Sequence, residues 1–180
     1  DKVILSTDST WKCAVDTNLV NEHGKISYNA GEEIPNWRAN EFDDSGWPNV
    51  SEKKTPKSGY LFPSQIPNTI RYPQEASNIY KLLPDDNEKT EHSLLNQILY
   101  NESFELDFSK NMSAYYKFSL FAHKGDKVTI LPREKIGTNR PLEYICKEGI
   151  NTFTTPQLNV FRYLTVQIAS NKGLTIDSFL

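Results

Sequence analysis

The fold is decided by the stretch AYYKFSLFAHKGDKVTIL, Ala114 to Leu131. Along both of its halves every second residue is apolar. Between the halves stands the polar tetrapeptide HKGD, whose Gly125 can adopt a positive φ and so favours a turn. Alternation with a period of two predicts two short, half-buried β-strands joined by that turn. The predicted inward-facing residues are Tyr116, Phe118, Leu120, Ala122, Val128 and Ile130.

The same alternation continues through the rest of the second half. In SFELDF, Glu105 and Asp107 point away from the face that carries the apolar residues. RYLTVQIA and LTIDSFL repeat the pattern on either side of the turn SNKG. Short alternating strands separated by polar turns predict an all-β fold, an antiparallel β-sandwich. The additional inward-facing residues are Phe104, Leu106, Phe108, Leu164, Val166, Ile168, Leu174 and Ile176.

The first half carries fewer strand signals and is rich in proline. KVILST, TWKCAV and KISYN are short strand candidates. Six of the ten prolines lie between Pro48 and Pro84, and proline donates no hydrogen bond to a neighbouring strand. We therefore predict a proline-rich, irregular N-terminal half. The 180 residues form one domain, in which peripheral strands and extended chain of residues 1–67 surround the main sandwich strands of residues 68–180.

One segment allows two structures. DNEKTEHSLLNQILYN, residues 86–101, begins with acidic residues, and its Leu94, Leu95, Ile98 and Leu99 share one face of a helix. The same residues equally fit a polar loop followed by a strand over 94–99. The sequence leaves both alternatives open.

Charge and apolar patterning exclude two classes of partner. The net charge is −3, with acids and bases mixed, and the absence of a basic stripe argues against nucleic acid. No apolar run approaches the roughly 20 residues that cross a bilayer, so a membrane is not a predicted partner. Strand-like sequence begins almost at the first residue and runs to the last. We therefore expect a piece of a larger protein.

The adjacent acids Asp43 and Asp44, within EFDDSGWPNV, are a candidate catalytic pair, metal site or turn. Glycosidases hold two carboxyl groups about 5–10 Å apart across a sugar, and adjacent residues of a strand point to opposite faces. Asp and Ser also favour turns, because their oxygens accept backbone N–H groups. A turn is therefore the predicted structure, with Phe42 and Trp47 anchoring it in the core.

Motifs that would place an active site in the chain are missing. The sequence contains no CxxC, HExxH or GxSxG pattern and no glycine-rich phosphate loop. Cys13 and Cys146 either pair or stay unpaired, and unpaired thiols are expected because the two residues are far apart in sequence. No catalytic residue is predicted.

Several sequence elements, in their order and spacing, resemble the accessory β-sandwich region of bacterial α-L-rhamnosidases. In that family a YDAR-like element precedes a tryptophan loop and an FDDSxW turn, and later passages read DFGQN and GFRY. The matching elements here are TDSTWKC (Thr7–Cys13), YNAG (Tyr28–Gly31), EIPNWRANEFDDSGWPNV (Glu33–Val50), SQIPNTIRYPQEA (Ser64–Ala76), FELDFSKNMSAYYKFSLFAHKGDKVTILPRE (Phe104–Glu134) and NTFTTPQLNVFRYLTVQIA (Asn151–Ala169).

The resemblance implies a jelly-roll, galactose-binding-like sandwich with no catalytic residue of its own. In the family such a piece precedes an α/α-toroid catalytic barrel, which holds the general acid and base. The expected function is therefore an accessory domain of an α-L-rhamnosidase-like glycoside hydrolase. Its expected partners are the barrel of the same polypeptide and oligosaccharide. The expected source is a bacterial enzyme, periplasmic or extracellular.

Departures from the family pattern affect the expected ligands. Some members bind L-rhamnose and calcium on an accessory sandwich, through an acidic or amide residue in the turn before YDAR. The matching turn here contains His23, which offers calcium no oxygen ligand, so no metal or other cofactor is predicted and calcium is disfavoured. Two alternative functions remain, a true carbohydrate-binding module and a protein-interaction sandwich marked by an exposed apolar patch. The candidate sugar-binding residues are Asn29, Trp37, Trp47, Asn68 and Arg71, with Trp37 the one expected to be exposed.

Overall fold

The computed structural model describes residues 8–22, 24–51, 72–83, 89–134 and 140–180. These residues belong to two compact units. The first contains residues 8–16 and 34–51, and the second contains the rest of the described chain.

All of the described strands lie in the second unit. They form two sheets, an eight-stranded sheet with the order β1-β2-β9-β8-β11-β6-β3-β4 and a four-stranded sheet with the order β10-β7-β12-β5. The strands are β1 (Leu19–Glu22), β2 (Lys25–Asn29), β3 (Asn78–Leu82), β4 (Lys89–Glu91), β5 (Ile98–Leu99), β6 (Ser103–Ala114), β7 (Lys117–Ala122), β8 (Lys127–Arg133), β9 (Leu142–Ile145), β10 (Gly149–Thr154), β11 (Asn159–Ala169) and β12 (Leu174–Phe179), with one 3₁₀ turn, Ala30–Glu32, after β2.

The predicted all-β sandwich is confirmed. The strand pairs within both sheets are antiparallel except β2–β9, which run parallel with Ile26 opposite Leu142. The jelly-roll arrangement stays a prediction. Among the described residues there is no helix with the length and hydropathy needed to cross a membrane.

The inward-facing residues predicted from the alternation are all buried. Phe118 on the four-stranded sheet packs edge-on against Tyr144 on the eight-stranded sheet, with ring centroids 5.1 Å apart. Phe118 also stacks near Phe179, at 6.1 Å. Because the Phe118 ring is buried and bridges the two sheets through Tyr144, truncating Phe118 to alanine would cost about 3–5 kcal/mol, a large part of a typical domain's stability.

The segment 86–101 is not helical where it is described. Lys89–Glu91 forms β4 against β3, and Ile98–Leu99 forms β5 against β12. Leu94 and Leu99 are buried in the core, whereas Ile98 is exposed. The shared helical face therefore does not exist, because pairing with neighbouring strands overrides the local periodicity.

The strand candidates of the first half have different outcomes. KISYN is β2 of the eight-stranded sheet, and KVILST lies outside the described residues. TWKCAV contains only an isolated bridge, Lys12 opposite Asn49. Two backbone hydrogen bonds support that bridge, from Cys13 N–H to Pro48 O at 3.0 Å and from Val50 N–H to Trp11 O at 2.9 Å. The TDSTWKC and FDDSGWPNV elements thus meet in the first unit.

The two cysteines are both free, with Cys13 exposed and Cys146 buried. Burial, and after it the neighbouring Asp126, raises the pKa of the Cys146 thiol to about 12. Cys146 therefore behaves as a small apolar core residue.

Candidate functional site

The acids Asp43 and Asp44 form a turn, as predicted. Asp43 Oδ1 accepts a hydrogen bond from Ser45 N–H at 3.0 Å, and Asp44 O accepts one from Trp47 N–H at 2.9 Å. The hydrogen bonds from Ser45 lower the pKa of Asp43. Both carboxylates are exposed. This geometry is that of an Asx turn and gives the pair no catalytic arrangement.

The two aromatic residues that flank this turn pack on each other. The rings of Phe42 and Trp47 are tilted by 55° with centroids 5.2 Å apart. Both residues are half-buried, and neither belongs to the buried core of the described chain. The prediction that they anchor the turn in the core is wrong, because they belong to the first unit, whereas the residues of the buried core belong to the second unit.

Trp37 is the exposed aromatic of the candidate set. A hydrogen bond from Ala39 N–H to Asn36 O, at 2.8 Å, closes the turn that carries it. Trp37 is 49% exposed, which confirms its predicted exposure. The Arg38 guanidinium lies over its ring, 4.7 Å from the centroid, in a cation–π contact. The exposed indole is a flat apolar surface of the kind that stacks on a sugar ring.

Asn29 belongs to the second unit and caps the 3₁₀ turn. Its Oδ1 accepts a hydrogen bond from Gly31 N–H at 3.1 Å, and its Nδ2 donates to Glu32 Oε1 at 2.9 Å. Both ends of the amide are therefore engaged in local structure. Asn68 and Arg71 lie outside the described residues. The role of all five candidates in sugar binding stays a prediction.

A polar cluster that sequence reasoning missed covers the outward face of the eight-stranded sheet. Glu105 and Asp107 point away from the core, as the alternation predicts, yet they are only 5% and 9% exposed. Arg133 Nη2 donates to Glu105 Oε2 at 2.9 Å, and Arg162 binds both oxygens of Asp107. The sequence signal for these pairs is weak, because the partners are 28 and 55 residues apart.

A second feature outside the prediction is a pocket of about 380 Å³ at one end of the sandwich. Three turns line it: those between β5 and β6, between β7 and β8, and between β11 and β12. Most of the residues that line it are polar or charged, and three of them are lysines: Lys124, Lys127 and Lys172.

Metal ligation is not indicated in the part of the chain that the structure describes. No three His, Cys, Asp or Glu side chains gather there in a group that could hold a metal ion. His23, the residue that disfavours calcium in the sequence, lies outside the described residues.

The fold and these polar groups define the chain as an all-β sandwich with polar clusters on its outer face and end loops. A solved structure of the same fold is the α-L-rhamnosidase from Dictyoglumus thermophilum, with a TM-score of 0.56 and 19% sequence identity over 95% of this chain. The match covers 20% of that enzyme, so the chain spans about a fifth of its length. The resemblance seen in the motifs is thus confirmed at the level of the fold.

Two further solved structures match with lower scores. A rhamnosidase from Klebsiella oxytoca with rhamnose bound has a TM-score of 0.44 and 13% identity, over 59% of this chain and 27% of that chain. The GH78 family rhamnosidase of Bacillus sp. GL1 has a TM-score of 0.38 and 19% identity, over 46% of this chain and 10% of that chain. No protein-family model and no curated protein sequence matches the chain.

Proposed function

We propose that the chain is a non-catalytic accessory domain of an α-L-rhamnosidase-like glycoside hydrolase. The observation that carries this proposal is the fold match, in which 95% of the chain corresponds to 20% of an α-L-rhamnosidase. In this proposal hydrolysis belongs to a separate catalytic barrel of the same polypeptide, and the sandwich supports that barrel. The native enzyme is a bacterial protein of the periplasm or the extracellular space.

The state of the described carboxyl groups supports a non-catalytic role. A glycosidase needs a general acid whose pKa is raised, facing a second carboxylate across an open cleft. Here the two outward-facing acids of β6 are tied to arginines. Asp8, Asp43 and Glu148 have pKa values that local hydrogen bonds lower. A lowered pKa keeps a carboxyl group ionised, which is the opposite of what a general acid requires.

An exposed apolar row on the four-stranded sheet supports packing against a neighbouring domain. Ile150 pairs with Phe121, Phe121 with Thr175, and Thr175 with Ile98, so the four residues form one row across the sheet. Ile150, Phe121 and Ile98 are 69%, 46% and 64% exposed. Adjacent exposed apolar side chains mark interaction surfaces. The same row is the feature that a protein-interaction sandwich would use.

The supporting role can be tested in the native polypeptide. We expect the double variant Phe121→Lys, Ile150→Lys to shorten the thermal half-life of rhamnosidase activity, because a charged row cannot be buried at an apolar interface. In the isolated chain the same substitutions should change stability by only about 0.5 kcal/mol, because the side chains are exposed. Val20→Lys, an exposed apolar residue of β1, is the matched control. An unchanged half-life in the double variant contradicts the supporting role.

Contact with carbohydrate is a second candidate function, favoured by the exposed indole of Trp37. Calorimetric titration of the chain with L-rhamnose, with and without calcium, tests it. Binding that Trp37→Ala abolishes and Trp37→Phe retains supports a sugar-stacking site, because stacking needs an aromatic face. A flat titration at millimolar sugar leaves the supporting role as the function.

A further inference from the structure

The pocket at the end of the sandwich brings together three turns that are far apart in sequence. His123–Asp126 joins β7 to β8, Ser170–Gly173 joins β11 to β12, and Asn101 lies between β5 and β6. Lys127 is the cross-strand partner of Ala169, so the first two turns emerge side by side. The result is a pocket of about 380 Å³, large enough for a sugar unit.

The lysines make the pocket positive on a chain whose net charge is −3. Lys124 and Lys127 form no ion pair within the described ranges. The acid that lines the pocket, Asp126, is buried, and its Oδ2 is engaged by His123 N–H at 2.9 Å. Three lysines therefore stand against two carboxylates, those of Asp126 and Glu148, and both carboxylates are engaged by N–H groups of the β7–β8 turn. That imbalance attracts an anion.

Hydrogen bonds fix the turns that carry these groups. Gly125, at φ +90°, donates its N–H to Cys146 O at 3.0 Å, and Asp126 N–H donates to His123 O at 3.0 Å. On the other turn, Gly173, at φ +87°, donates its N–H to the buried Ser170 Oγ at 2.9 Å. A site whose backbone is already fixed loses little conformational entropy when it binds a ligand.

The β7–β8 turn already holds a carboxylate. Glu148 Oε2 accepts a hydrogen bond from Lys124 N–H at 3.0 Å, and its Oε1 lies 3.0 Å from His123 Nδ1. These two hydrogen bonds, and after them the charges of His123 and Lys172, lower the pKa of Glu148. The turn thus stabilises one ionised carboxylate at this edge of the pocket.

We propose that this pocket binds an acidic sugar unit, with the lysines contacting its carboxylate or sulfate group and the side-chain amides of Asn101 and Asn171 contacting its hydroxyl groups. The choice of a sugar as carrier of the anion rests on the proposed function. The choice of an anion rests on the charge of the pocket. The ligand is therefore an acidic glycan, in addition to any neutral sugar bound at Trp37.

Backbone amide chemical shifts of the ¹⁵N-labelled chain, titrated with digalacturonate, test the proposal. We expect shifts at the β7–β8 and β11–β12 turns and a Kd of about 1 mM, as is usual for a small polar ligand at an exposed site. Lys127→Gln and Lys172→Gln should each weaken binding about threefold, the effect of one exposed charge pair. Lys117→Gln is the matched control, because Lys117 is exposed at the opposite end of β7. The spectra themselves report whether each variant is folded.

Parallel titrations separate the sources of the signal. Sulfated galactose should bind at the same turns as digalacturonate, and neutral digalactose should bind far more weakly. Equal binding of the neutral disaccharide, or shifts that are insensitive to the pocket lysines, would overturn the proposal. Equal binding of inorganic sulfate would reduce the pocket to a simple anion site and overturn its sugar component. If the native polypeptide has no glycosidase activity while digalacturonate still binds, the proposed function fails and the pocket assignment stands.

Discussion

Arg162 and Asp107 are joined by two hydrogen bonds, Nε to Oδ1 at 2.9 Å and Nη2 to Oδ2 at 3.0 Å. The two residues come from VFRY and DFSKN, two of the passages by which the sequence resembles α-L-rhamnosidases. The pair lies on the outward face of the eight-stranded sheet, where β6 and β11 are neighbours. Asp107 Oδ1 also accepts the N–H of Ser109 at 2.7 Å. The motifs therefore meet in one ion pair that also fixes the backbone of β6.

Removing the Asp107 carboxylate should destabilise the sandwich. Asp107→Ala leaves the Ser109 N–H without this acceptor, which costs about 1–3 kcal/mol. The measurement is the free energy of unfolding in urea. Asp177→Ala, which removes an exposed acid from β12, is the control and should change it by less than about 0.5 kcal/mol. If both variants change the free energy of unfolding equally, the ion pair contributes nothing to stability.

Ser109→Gly should stabilise the chain. Ser109 has a φ of +63°, a left-handed conformation that costs a non-glycine residue about 1–2 kcal/mol, and the family pattern DFGQN has glycine at this position. Glycine removes this cost, but it also has the greater chain entropy in the unfolded state, which offsets part of the stabilisation. The free energy of unfolding should therefore rise by about 0.5–1 kcal/mol. Ser113→Gly, on the same strand, should instead destabilise. The prediction is wrong if the urea midpoint of Ser109→Gly does not rise.

The two thiols should differ in reactivity. In the native chain at pH 8, a disulfide reagent should modify Cys13 rapidly, because it is exposed, and Cys146 only on unfolding, because it is buried with a pKa of about 12. Cys13→Ser should abolish the rapid phase, and denaturant should release one further thiol. Rapid modification of both thiols in the native chain would contradict the burial of Cys146.

Stability should fall as the pH rises above about 9. Burial raises the pKa of Cys146 from 9.0 and of Tyr116 from 10.0, in each case to about 12. Between those values the unfolded chain has released protons that the folded chain retains. The free energy of unfolding therefore falls by on the order of 1 kcal/mol per pH unit for each such group. Denaturant midpoints measured from pH 8 to pH 11 should fall, and Cys146→Ala should reduce the slope.

Much of the sandwich could be predicted from periodicity alone. Every inward-facing residue of the stretch Ala114–Leu131 is buried, because alternation reports directly which face of a strand meets the core. The Asp43–Asp44 turn could be predicted because Asp and Ser side chains accept backbone N–H groups of their own turn. These features depend on neighbours in sequence, which is why a sequence reveals them.

Features set by distant partners could not be predicted. Residues 94–99 have a helical periodicity, yet β5 pairs with β12, more than 70 residues later. The parallel pairing of β2 with β9 and the three turns of the end pocket likewise depend on tertiary arrangement. For the sugar-binding candidates, residue type indicated the exposed Trp37 but gave no sign that Asn29 is occupied in capping a turn.

In the function that we propose, hydrolysis takes place outside this chain. The decisive measurement is the release of 4-nitrophenol from 4-nitrophenyl α-L-rhamnopyranoside, assayed in parallel for the 180-residue chain and for the native polypeptide. We expect saturable hydrolysis by the native polypeptide and no rate above the buffer blank for the chain alone. Saturable hydrolysis by the chain alone would contradict the proposed function.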